Sequence, residues 1–105
     1  MRKTAVFLAV FAICGQAQAQ EPGSVRDGLR LARMQCSECH RVDRTGRSPK
    51  PDAPSFEEIA DTPGMTRTAL LAALRTSHAT MPNIIIKDSD VDDLVAYILS
   101  LKGND

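Results

Sequence analysis

Cys36-Ser37-Glu38-Cys39-His40 is the stretch that decides how this sequence is read. On a helical turn, a step of three residues brings the two sulfurs to one side. Sulfurs so placed can reach the two vinyl groups of one haem and form thioethers. The next residue, His40, is then held under the ring with an imidazole nitrogen toward the iron. The spacing is that of c-type haem attachment. Two other uses of these residues stay open at this point. A redox-active Cys36–Cys39 disulfide wants a strand–helix setting that the sequence does not offer. A structural zinc site needs a fourth ligand beyond Cys36, Cys39 and His40, which only His78 or a carboxylate could supply.

Upstream, Arg2 and Lys3 precede an apolar run from Ala5 to Cys14, and Ala17-Gln18-Ala19 follows. Charged, apolar and small-residue regions in that order make a secretory signal peptide. As a helix the run reaches about 15 Å, roughly half a bilayer's hydrocarbon thickness, which favours a leader over a membrane anchor. Ile13 is a poor neighbour for a lipid-modified Cys14. The expected organisation is a leader over residues 1–19, cleaved after Ala19, and one domain over 20–105 exported to the periplasm.

Downstream and around the motif, the apolar pattern is helical. Val25, Leu29, Leu31, Ala32 and Met34 mark a helix from Ser24 to Gln35, although Gly28 weakens it by about 1 kcal/mol relative to alanine. Residues 41–54, with Gly46, Pro49, Pro51 and Pro54, read as a long ordered loop. Ser55 and Glu58 form a capping-box pattern that opens a short helix through about Asp61. Thr66 caps another over Arg67–Thr76. Ser77–Lys87 reads as extended, and Asp88 or Ser89 is expected to cap a last helix carrying Val91, Leu94, Val95, Ile98 and Leu101. Nothing alternates with period two, so the fold class is all-α with short helices and long connections.

Haem iron has a second axial position. Met81, His78, Met65 and Met34 are the candidates. Met34 is tied to the proximal side by its closeness to Cys36, and Met65 opens a helix. His78 and Met81 both lie on the segment that must return across the other face. Met81 is preferred because Pro82 fixes the backbone beside it and removes a competing donor.

With Cys36-Ser37-Glu38-Cys39-His40, Met81-Pro82 and Leu94-Val95-Ala96-Tyr97-Ile98 in place, residues 20–105 resemble a class I, mono-haem cytochrome c. The resemblance implies the cytochrome c fold, with the first and last helices crossing at Gly28 against Leu94 and Tyr97. It implies one covalent haem c held by Cys36 and Cys39, with His40 and Met81 as iron ligands. It also implies a proline carbonyl on the proximal imidazole. Pro54 is the preferred match and Pro49 competes. Such a bond fixes the tautomer and raises ligand basicity. Loop 41–54 departs from the family pattern, being Arg-rich and without its common Gly-Pro pair.

Composition agrees with a cofactor-filled core. The chain has 105 residues, 13 basic and 13 acidic, with no Trp, one Tyr and three Phe. That is one small domain, with no room for an interdomain cleft, and zero net charge argues against a nucleic-acid binder. Removing the leader takes Arg2 and Lys3 and leaves a net charge of −2. It also leaves Phe56 and Tyr97 as the only aromatics. Scaffolds this small need a staple, and a haem ring supplies the missing bulk; Ile84, Ile85 and Ile86 are candidates to cover it.

With both axial positions filled by side chains, the implied function is electron transfer and not enzymatic catalysis. The expected molecule is a soluble monomer, without stable membrane insertion, that shuttles single electrons between redox proteins such as a dehydrogenase, reductase or oxidase. Seven basic residues against three acidic ones between Arg26 and Lys50 form a patch that can steer an acidic partner. Two alternatives are a haem subunit docked to a dehydrogenase or oxidase, and a haem-based ligand sensor or peroxidase if Met81 is not a stable ligand.

Overall fold

A computed structural model describes Gly15 and residues 22–103. The leader assigned to residues 1–19 lies, Gly15 apart, outside the described residues. Four helices make up the regular structure: α1 (Val25–Gln35), α2 (Phe56–Ala60), α3 (Arg67–Leu74) and α4 (Asp88–Ser100). The described residues hold no strand, only an isolated bridge between His78 and Met81. The all-α expectation holds.

Local chemistry starts three of the helices where the sequence places their caps. Ser24 Oγ accepts from Asp27 N–H at 3.2 Å. Thr66 Oγ1 accepts from Ala69 N–H at 3.2 Å. At α2 both halves of the capping box are made, Glu58 N–H to Ser55 Oγ at 3.1 Å and Ser55 N–H to Glu58 Oε2 at 2.7 Å. These bonds from Ser55, backbone first, hold the Glu58 carboxyl below the ordinary glutamate range.

The fourth helix differs from expectation. Its N-cap is Lys87, in extended conformation and without a side-chain capping bond, and Asp88 is already helical. Carboxylates of Asp88 and Asp90 stand in the first turn, where the positive end of the helix dipole stabilises them without a cap. Helix α3 also stops short, at Leu74, because Arg75 N–H closes it onto carbonyls of the last turn. Within the segment read as extended, Met81 N–H bonds the His78 carbonyl at 3.3 Å, so residues 78–81 form a tight turn.

Helix α4 is the centre of the packing. Helices α1, α2 and α3 all rest on it, α1 most extensively. Leu94, Val95 and Ala32 are fully enclosed, with Leu70, Ile98, Leu101 and Phe56 around them. Gly28 is what lets α1 approach so closely. A Cβ there would overlap the Asp93 carbonyl and stand 2.7 Å from Tyr97 Cβ. Tyr97 is thus a partner of Gly28 as the resemblance implied, and the Asp93 carbonyl is nearer still. Ser24 N–H adds a bond to Asp93 Oδ1 at 2.7 Å.

The buried Tyr97 hydroxyl donates to the Val42 carbonyl, and burial raises its pKa above the usual phenol value. That bond ties α4 to the chain just after His40. Phe56 lies between, with ring centroids 5.5 Å from His40 and 6.5 Å from Tyr97. Three rings thus link the attachment motif to the α1–α4 crossing.

Candidate haem-binding site

The attachment motif continues the turn on which α1 ends. Cys36 N–H and Ser37 N–H both reach the Ala32 carbonyl, at 2.9 and 3.1 Å, and His40 N–H reaches the Cys36 carbonyl at 2.9 Å. Cys36 is buried, Cys39 half-buried, and both are free thiols. Burial first, and Cys39 second, push the Cys36 thiol up to about 11. Among the described residues, no three His, Cys, Asp or Glu side chains converge to hold a metal ion. A thioether has no proton to lose, so its sulfur can be buried here without that electrostatic penalty.

His40 Nδ1 stands 2.6 Å from the Pro54 carbonyl oxygen. A carbonyl only accepts, so Nδ1 carries the hydrogen and Nε2 keeps its lone pair. Of the two prolines the sequence left open, Pro54 is the one that meets the ring. It is brought there by the start of α2, where Ser55 is capped and Phe56 N–H bonds the Arg41 carbonyl at 2.9 Å.

Met81 is half-buried on the 77–87 segment. With His78, Leu74, Ile84, Ile86 and Val91 it lines a partly open cavity of about 310 Å³. Cys36, Cys39 and His40 are not on its wall. Ile84 and Ile86 are half-buried, but Ile85 is 96% exposed. All three isoleucines offered to cover a ring, Ile84, Ile85 and Ile86, stand on the wall of that cavity. Met34 is exposed and Met65 packs on the core.

The family model for cytochrome c matches residues 25–102. The chain belongs to the cytochrome c family. It is also similar to cytochrome c-552 of Bradyrhizobium diazoefficiens, with 30% identity over 102 residues, which are 97% of this chain and 95% of the relative. No solved structure gives a significant match. As a cytochrome c the protein is an electron carrier, not an enzyme, and its cofactor is covalently bound haem c. Such a carrier has redox partners. No helix among the described residues is long and apolar enough to cross a membrane.

The donor set of this cytochrome c fits haem c. It offers two unpaired cysteines on one turn, a histidine whose Nε2 lone pair is free, and an uncharged thioether in a cavity lined by both apolar and polar side chains. Four arginines of the basic patch are engaged in ion pairs. Arg30 pairs with Asp27 at 3.2 Å, Arg33 with Asp43 at 2.6 Å, and Arg41 with Glu57 at 3.1 Å. Arg44 approaches the same Glu57 at 3.9 Å and donates to the Ser100 carbonyl at 3.1 Å. Arg30–Asp27 is a local pair within α1, whereas Arg41 and Glu57 lie sixteen residues apart and carry no linear signal of their pairing. It also missed the Tyr97–Val42 bond, for which no linear signal exists.

Proposed function

We propose that this cytochrome c is an exported, free-standing carrier that moves single electrons between periplasmic redox proteins. In this reading residues 1–19 are the leader and 20–105 the working domain. Cys36 and Cys39 hold the haem through thioethers, and His40 and Met81 are its axial ligands. Bound there, haem iron supplies one-electron Fe(III)/Fe(II) chemistry. The observation that carries the reading is the 2.6 Å approach of His40 Nδ1 to the Pro54 carbonyl, which leaves Nε2 as a bare donor. The His40 tautomer is held by Pro54, and Met81 has no titrating group.

Partner choice follows from the surface. The ion pairs above engage four of the seven basic residues with three carboxylates, Glu57 being shared by Arg41 and Arg44, while Arg26, Arg47 and Lys50 are exposed and make no ion pair among the described residues. Arg47 and Lys50 share the 41–54 loop beside His40, so an acidic redox partner would meet that edge with a salt-sensitive on-rate.

Carbon monoxide titration of the reduced protein is the test. With Met81 on the iron, the reduced spectrum is low-spin and changes little under carbon monoxide. Ready conversion to a carbonyl spectrum in the unmodified protein would replace the carrier with a ligand sensor or peroxidase.

A further inference from the structure

Arg41 enters the sequence as one basic residue among seven, yet it is the most enclosed of the ion-paired arginines, its side chain 18% exposed. Its guanidinium faces three acceptors. One is Glu57 Oε2 at 3.1 Å, another the Asp43 carbonyl at 3.2 Å, and the third the Arg44 carbonyl. The Arg41 main chain is used as well. Its N–H donates to Ser48 Oγ at 3.0 Å, and its carbonyl accepts from Phe56 N–H at 2.9 Å. One residue thus gathers both ends of the 41–54 loop.

These contacts form a ladder of three rungs between residues 40–41 and residues 54–57. The first is His40 Nδ1–H to Pro54, the second Phe56 N–H to Arg41, and the third Arg41 to Glu57. The first rung closes a separation of fourteen residues with no regular structure in the loop between. A lone hydrogen bond across such a loop offsets little more than the entropy lost in ordering a single residue. The other two rungs hold the Pro54 carbonyl in place. We propose that Arg41, paired with Glu57, is the positioning residue for His40: it keeps the Pro54 carbonyl on Nδ1 and thereby sets how strongly the imidazole donates to iron. This deepens the carrier reading above and rests on His40 as an axial ligand.

The Arg41→Lys variant of the holoprotein separates geometry from charge. Lysine keeps the positive charge but cannot form the planar fork that serves a carboxylate and two carbonyls at once. Two quantities are read: the solvent exchange rate of the His40 Nδ1 proton by NMR of the reduced protein, and the midpoint potential. Exchange is expected to accelerate about tenfold, a loss of local closure of the size expected for a charge-assisted hydrogen bond. The potential is expected to rise, because a weaker Nδ1 bond makes a less basic ligand and favours the ferrous state.

Glu57→Gln removes the same rung from the other side, so it should also speed exchange, and it keeps the test alive if Arg41→Lys does not fold. Arg30→Lys, at an exposed pair within α1, should change neither quantity. If Arg41→Lys lowers thermal stability but leaves exchange and potential at the values of the unmodified protein, Arg41 is structural and the proposal is wrong. If the unmodified protein lacks a histidine-ligated, low-spin spectrum, the carrier reading itself fails first, and visibly so.

Discussion

Gly28→Ala is expected to destabilise the holoprotein, although alanine is the better helix former by about 1 kcal/mol. Propensity and packing make opposite predictions at this residue, and the packing effect is the larger. The added methyl would overlap the Asp93 carbonyl and crowd Tyr97 Cβ. Neither neighbour is the free end of a flexible side chain, so α1 and α4 must separate. Overpacking of this kind costs about 1–3 kcal/mol. The melting temperature of a domain this small should fall by about 4–8 °C for each kcal/mol. Separation would also loosen Ser24–Asp93 and the Tyr97–Val42 tie. Thermal unfolding of purified holoprotein checks this, and a midpoint equal to or above that of the unmodified protein would show that the helices do not meet at Gly28.

What could be read from the sequence divides along a physical line. Caps are local, involving a hydroxyl and an amide two or three residues away, and Ser24, Ser55 and Thr66 were therefore legible. The start of α4 was not, because its stabilisation comes from two carboxylates in the dipole field, which leaves the first helical residue free to shift. The haem motif was legible for the same local reason as the caps, since two sulfurs and an imidazole fall on one turn. Pro54 was legible only through resemblance. Choosing it over Pro49 required the start of α2 to be placed in space. Arg41 was invisible as anything but charge, because its partners are two main-chain carbonyls and an acid on α2.

Met81→Ala should change the redox behaviour more than any other single substitution on this surface. Met81 presents an uncharged sulfur beside Leu74, Ile84, Ile86 and Val91. A soft thioether favours Fe(II), so its loss removes the contribution that raises the potential. Axial ligands set haem potentials over about 0.8 V, and the expected fall is a sizeable part of that range. The ferric sulfur-to-iron band at the red end of the spectrum should vanish, and the variant should bind carbon monoxide readily. His78→Ala is the companion measurement, since His78 shares the 78–81 turn. If Met81→Ala keeps the band and the potential while His78→Ala loses them, the sixth ligand is His78.

Covalent attachment through Cys36 and Cys39 underlies all of this, and acid–acetone extraction of the purified holoprotein followed by a pyridine haemochrome spectrum tests it most directly. Haem is expected to stay with the polypeptide and give the haemochrome of a ring with both vinyl groups saturated, while Cys36→Ser or Cys39→Ser shifts it toward a singly attached ring. Haem that passes wholly into the organic phase, or a haemochrome with both vinyls intact, would contradict the assignment.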